Sequence, residues 1–256
     1  MKYILIIMGL FSIFGCKKAA EPAYQQDKIV AKDGSEITLT FYSHASVGIA
    51  WNGHQIYVDP VGENVDFSKE PKADLILVTH SHGDHFDLET IENLERMKCL
   101  IATDYTTAEA FENNIAPMKP GDGIKPFYGE DKSEDDCAVT VLAVPAYNIT
   151  EGHTNFHPKD REDCGYIITL GGTSIYVAGD TEDNEDVMAL KDIDIAFLPV
   201  NQPYTMTPEQ AERVVRAIKP AIFYPYHFGG VDVRTDVESL AEALKDVCEV
   251  RIRKME

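Results

Sequence analysis

The stretch Asp74-Leu75-Ile76-Leu77-Val78-Thr79-His80-Ser81-His82-Gly83-Asp84-His85 runs straight from an apolar segment into three histidines and an aspartate. A short continuous apolar run is the pattern of a strand buried on both faces, so the histidines stand at that strand's C-terminal end. In extended backbone, residues two apart point to the same side, which lets His80 and His82 serve one metal ion. Gly83 permits a sharp turn, and that turn swings Asp84 and His85 towards a second ion beside the first. Three imidazoles and a carboxylate are ligands that suit zinc, and manganese and iron accept them too.

Upstream, β-rich runs cover 37–42, 46–51 and 55–58, the last two joined by Asn52-Gly53, a strong hairpin turn. Downstream, Asp87 caps a helix expected to reach about Met97, and a strand follows at 99–102. The segment 116–136 is rich in Pro, Gly and charge and reads as loop, with one strand near 124–128. Strands are expected at 138–145, 165–170 and 174–178, the last two joined by Gly171-Gly172. The grammar then changes: strand 195–199, helix 208–218 capped by Thr207, strand 221–225, helix 237–245 and strand 249–253. A β-rich half followed by alternating units predicts an α+β fold, an αββα sandwich of two mixed sheets packed face to face with helices outside. No internal repeat is visible by eye.

The pattern H-x-H-x-D-H over His80, His82, Asp84 and His85 resembles the signature of the metallo-β-lactamase superfamily, and the likeness extends over most of the chain. The resemblance implies further roles, taken in chain order. Asp59, in Tyr57-Val58-Asp59-Pro60, matches an early aspartate that orients the metal-binding loop without ligating. Asp180, in Ala178-Gly179-Asp180, matches a carboxylate bridging two ions, and His227, in Tyr226-His227-Phe228, a final histidine of the second metal. The third histidine of the first metal is missing from its usual place, which here reads Pro145-Ala146-Tyr147-Asn148. His157 and His153 both lie in the following loop, and His157 is preferred over His153 or Asn148, a neutral amide being a poor zinc ligand. His44, in Ser43-His44-Ala45, is similar to a Gly-His-Ala element of the lactonase-like and phospholipase-like branches. It is expected, with Tyr147 and Asn148, to support the ligands or touch substrate. Tyr204-Thr205-Met206 is a candidate wall of the site.

What the resemblance implies is hydrolysis by a hydroxide held between two divalent ions, zinc by preference, with Asp84 or a metal-bound water handling the proton and His227 beside it. An aspartate at position 180 is closer to lactonases, thioesterases and phosphodiesterases than to true β-lactamases. A small ester or lactone is the expected substrate, phosphodiester or phospholipid cleavage the alternative. A non-catalytic, metal-bearing binding lipoprotein is the rival outside enzymology.

The N-terminus adds an address. Lys2 precedes an apolar run from Ile4 to Phe14, too short for the roughly 20 residues of a spanning helix. Residues 1–15 therefore read as a signal peptide, and Ile13-Phe14-Gly15-Cys16 resembles a bacterial lipobox that leaves a lipidated Cys16. Residues 16–35 read as tether and 36–256 as one domain. The expected location is the bacterial cell envelope, periplasmic or outer surface, with membrane contact through the lipid anchor only. Forty-three acidic against 23 basic residues give a net charge of −20, which repels phosphate backbones and makes nucleic acid an unsuitable partner. A small molecule remains the expected partner, and nothing in the sequence specifies an oligomeric state. Cys99, Cys137, Cys164 and Cys248 form no C-x-x-C pair and are expected chiefly as small buried hydrophobes.

Overall fold

The computed structural model describes residues 23–127, 139–229 and 234–256. The signal peptide 1–15, Cys16 and Cys137 lie outside the described residues. Two seven-stranded sheets carry the fold. The first holds β1 (Gln25–Val30), β2 (Glu36–Phe41), β3 (Val47–Trp51), β4 (His54–Val58), β5 (Ala73–Val78), β6 (Glu95–Asp104) and β7 (Ile115–Met118), in that spatial order. The second holds β8 (Gly123–Ile124), β9 (Val139–Pro145), β10 (Cys164–Leu170), β11 (Thr173–Val177), β12 (Ile195–Pro199), β13 (Ile222–Tyr226) and β14 (Glu249–Val250), likewise in order. In each sheet three antiparallel pairings are followed by three parallel ones. This topological repeat leaves no trace in residue identity, because pairing needs only the right alternation of apolar side chains.

Alternation along β5 shows how one strand serves two cores. Leu75 and Leu77 point between the sheets, where they meet residues such as Val141, Tyr166 and Phe197. Ile76 and Val78 point outward, under α1 (Leu88–Leu94) with its Ile91 and Leu94. On the far side α3 (Glu185–Met188), α4 (Pro208–Ile218) and α5 (Val237–Leu244) cover the outer face of the second sheet through Val187, Val214 and Leu240. The result is the αββα sandwich expected from the sequence.

Local chemistry sets the helix limits. Thr207 and Gln210 form a capping box at α4 with Pro208 in the first turn, and Lys219 turns left-handed at its end. Asp87 caps α1 through the Thr90 amide, but the helix stops at Leu94, short of the expected Met97. Glu95 there pairs with Ala73, and strand β6 takes the chain. Three further elements differ from the sequence expectation. The stretch 16–35 reads as tether, yet Gln25–Val30 is β1; its side chains stay largely exposed, so it carries no hydrophobic signal. It is pinned instead by Asp27, whose carboxylate accepts from Arg253 at 2.7 Å and from the Tyr224 hydroxyl at 2.5 Å. β7 lies in the expected loop, paired in parallel with β6. The short helix α2 (Tyr105–Ala108) hangs on the buried carboxylate of Asp104, which accepts from the Thr106 and Thr107 amides. Cys99 and Cys164 are buried free thiols and Cys248 is a half-buried one.

Parallel strands deliver their C-terminal ends to one edge of each sheet. Asp59 follows β4 and His80 follows β5, while Asp180 follows β11, Asn201 follows β12 and His227 follows β13. The two edges are sewn together: the Cys164 amide donates to the Thr79 carbonyl at 3.1 Å, and the Tyr166 hydroxyl to the Val78 carbonyl at 2.8 Å. Leu77→Ala empties space beneath this seam and is expected to cost about 2–5 kcal/mol in chemical denaturation, with the secondary structure retained.

Candidate metal centre

Asp180 lies at the middle of the site, and its two oxygens face different histidines. Oδ1 stands 3.2 Å from His85 Nε2 and 3.4 Å from His227 Nε2, while Oδ2 stands 3.3 Å from His157 Nε2. Three groups have donor atoms close enough to share an ion: His80 with His82 and His157, His80 with His85 and Asp180, and His44 with Asp84 and His227. Within this arrangement His80 Nε2, His85 Nε2, Asp180 Oδ1 and both ring nitrogens of His227 are buried and have no hydrogen-bond partner. Buried polar atoms are rarely left so. Imidazole and carboxylate groups converging in this way fit divalent cations.

The local electrostatics prepare that donor set. Burial, reinforced by the neighbouring charge of His85, holds His80 well below an ordinary histidine and so keeps it neutral. Burial and His157 lower His82 in the same way. Burial alone would raise Asp180, but His227 and His85 hold it well below the usual carboxylate range. Asp84 is likewise held low against burial by His227 and His44, 3.5 and 3.4 Å from its Oδ2.

Two of the ligand candidates, His85 and His157, are oriented from behind. Asp59 is fully buried; its Oδ1 accepts from the Thr79 amide at 2.8 Å, and its Oδ2 from the Thr79 hydroxyl and from His85 Nδ1, both at 2.8 Å. That leaves His85 Nε2 turned to Asp180, the carboxylate–histidine arrangement by which proteins fix a ligand's tautomer. His157 is held by Asp163, 3.6 Å from its Nδ1, and the Arg161 guanidinium lies 3.1 Å from His157 Nδ1 and from His82 Nε2. His44, Asp59 and His227 all have left-handed backbone, with φ of 50°, 46° and 50°. Such strain in non-glycine residues persists where surrounding structure enforces it; here the His227 amide donates to the His44 carbonyl at 3.3 Å.

A family model described as the β-lactamase superfamily domain matches residues 38–227, which contain every one of these ligand candidates. The chain belongs to the β-lactamase superfamily, as a metal-dependent hydrolase. It is 32% identical to a UPF0173 metal-dependent hydrolase of Thermococcus onnurineus over 85% of this chain and 96% of that one. Among solved structures, one from Parabacteroides distasonis, described as a candidate metal-dependent hydrolase, is 42% identical with a TM-score of 0.81, covering 91% of this chain and all of the other. The metallo hydrolase Igni18 of Ignicoccus hospitalis, 21% identical with a TM-score of 0.68 over 86% of this chain and 95% of its own, shares the fold.

Within this superfamily chain, the loop that follows β9 departs most from the sequence expectations. His157 is the residue that stands with His80 and His82. His153 instead lies 3.4 Å from the buried carboxylate of Glu182. Asn148 donates to the Tyr204 carbonyl at 2.7 Å and to the His153 carbonyl at 3.3 Å. Tyr147 turns its hydroxyl to Asp186 at 2.8 Å, with Lys159 at 3.0 Å. Tyr147 and Asn148 are not among the described residues that line the cavity above the site, and the contacts they make fix the loop that carries His157. The loop is tied to the segment after Asp180: Glu182 accepts from the amides of Ile149 and Thr150 at 2.8 and 2.6 Å, and Asn184 donates to the Tyr147 carbonyl at 2.9 Å. Sequence reading missed Glu182, Arg161, Asp163 and Glu256. Only Glu182 carried a signal, an acidic residue two positions past Asp180. Glu256 reaches the site through the fold, its carboxylate 3.3 Å from His44 Nδ1 and accepting from the Phe228 amide at 2.9 Å. Asp84 and Glu256 together pull His44 up to about 9 against burial.

His157→Ala is expected to lower bound metal below two ions per chain by elemental analysis, while His153→Ala leaves it unchanged. The reverse pattern would remove His157 from the first set.

Proposed function

We propose that the chain is a binuclear metal-dependent hydrolase of small esters or lactones. The observation that carries this reading is the division of Asp180 between two histidine sets, one oxygen to His157 and the other to His85 and His227. His80, His82 and His157 would hold one ion, Asp84, His85 and His227 the other, with Asp180 between them. Bound there, such a pair supplies a nucleophile at neutral pH, because it lowers the pKa of water from 15.7 to about 7.

The chain's own residues account for the rest. Asp84 is the least enclosed of the ligand candidates, its side chain 47% exposed, and stands within reach of both His44 and His227. It is therefore the group placed to take a proton from the attacking water and pass it on, with His44 and Glu256 behind it as a further hydrogen-bonded pair. The ester reading is favoured over phosphodiester cleavage by the cavity wall, which among the described residues contains no lysine or arginine.

Metal-loaded protein is expected to cleave p-nitrophenyl esters or aliphatic lactones. His82→Ala should abolish that turnover, at least a thousandfold, with the circular dichroism spectrum retained. Turnover surviving in His82→Ala would overturn the metal-site assignment, and a fully metallated protein inert on esters, lactones, thioesters and bis(p-nitrophenyl) phosphate alike would leave a metal-bearing binding protein instead. We propose also that the chain is an exported envelope lipoprotein carried on Cys16, with zinc as the resident metal. Expressed from its own start, Cys16→Ser should move it from the membrane fraction to the soluble or uncleaved precursor form, and mass spectrometry of the mature N-terminus reads the lipid directly.

A further inference from the structure

The cavity above the metal centre has a volume of about 870 Å³. Its described charged walls are Glu63, Asp84, Asp180 and Glu256, with histidines but no lysine or arginine among them. The guanidinium nearest the ligands, that of Arg161, is engaged by Asp163 at 2.7 and 2.9 Å, so its charge is matched within the protein. One side of the cavity is aromatic: Phe156 packs edge-on against Tyr204 with ring centroids 4.8 Å apart.

Asn201 is the feature of this cavity that the metal chemistry does not use. It is 3% exposed, follows β12 and lines the cavity. Its Nδ2 donates to the Gly229 carbonyl at 2.9 Å, which fixes the amide's orientation, since a carbonyl can only accept. Its Oδ1 is buried and has no partner. The backbone around it is held firmly: the Asn201 amide donates to the Thr205 hydroxyl at 2.8 Å, and the Thr205 amide donates back to the Asn201 carbonyl at 2.8 Å. A rigid, desolvated acceptor at the wall of a ligand cavity is the kind of group that selects a substrate able to donate to it, because the analogue lacking the donor leaves it unpaired.

We propose that Asn201 is the polar anchor for the substrate: its Oδ1 accepts a hydrogen bond from an N–H or O–H group of an uncharged ester or lactone, whose apolar portion lies against Phe156 and Tyr204. The proposal rests on the hydrolase reading above and adds to it the substrate's polarity. Away from the metal centre, a carboxylate or phosphate on the substrate would meet Glu63 and Glu256 and no lysine or arginine among the described residues, which is discrimination by repulsion. A donor close to the reacting carbonyl satisfies the amide oxygen and holds the carbonyl at the metal centre.

The test uses metal-loaded full-length protein and three probes: p-nitrophenyl N-acetylphenylalaninate, its N-methyl derivative without the N–H donor, and bis(p-nitrophenyl) phosphate. The expected result is a kcat/KM for the N–H ester about tenfold or more above that of the N-methyl ester, the size of one hydrogen bond lost. Asn201→Ala should bring the two within about twofold while metal content stays unchanged. Equal rates on the two esters by the unmodified protein overturn the proposal, whether or not the variant folds. So does a preference that survives in Asn201→Ala, or loss of a metal ion in that variant, which would make Asn201 a ligand. Faster cleavage of the phosphodiester overturns the substrate assignment and leaves the hydrolase reading standing. Absence of turnover on all three and on simple lactones removes both.

Discussion

The carboxylate of Asp180 is the constraint on which the site depends. A buried carboxylate is costly unless opposite charge or hydrogen-bond donors surround it. Here its oxygens are divided between His157 on one side and His85 with His227 on the other. Those residues come from a loop of the second sheet, a turn after β5 in the first, and the end of β13. They meet only because both sheets present the C-terminal ends of parallel strands at a common edge, and because Tyr166 and the Cys164 amide join the two edges directly. Asp180 thus draws its partners from both sheets, His85 from the first and His157 and His227 from the second.

Around it the protein spends buried polar groups on position. Asp59 engages Thr79 and His85 from beneath, so the turn that begins at His80 is fixed relative to β4 as well as β5. Glu182 and Asn184 hold the loop that carries His157, tying a segment without regular structure to the residues just past Asp180. Networks of this kind are costly when partly satisfied and rigid when complete. Among the described residues, the buried side-chain atoms left unsatisfied are those at the centre and Oδ1 of Asn201, a residue that lines the cavity, together with isolated cases at Tyr176 and Asn148. Unsatisfied groups thus concentrate where a cation or a substrate would supply the missing partner.

Acidic composition takes on a local meaning in this setting. The net charge of −20 repels polyanions at a distance, and the cavity walls repeat that sign at short range through Glu63 and Glu256. The centre's ionised aspartates and converging imidazoles suit cations, whereas Glu63 and Glu256 on the approach favour uncharged molecules.

Much of this was legible in the sequence wherever the relevant residues are neighbours along the chain. The apolar run before His80, the i, i+2 spacing of His80 and His82, and the turn at Gly83 specify a strand-end metal cluster by local geometry alone. The hairpins at Asn52-Gly53 and Gly171-Gly172 and the capping box of α4 are equally local. Elements without a hydrophobic signal escaped: β1 is exposed and held by Asp27 to Arg253, more than 200 residues away, and β7 contains Pro117 and pairs at an edge. Asp180 and His227 could be placed by order along the chain but not by any pattern of their own. The sequence by itself therefore determined the fold class and the cluster His80 to His85. Only the tertiary structure set His157, rather than His153 or Asn148, beside His80 and His82, gave Asp180 its two faces, and brought Arg161, Glu256 and Asn201 to the site. The reason is physical: those contacts join residues whose meeting depends on loop path and on the packing of two sheets, and neither leaves a periodic or local trace in the chain.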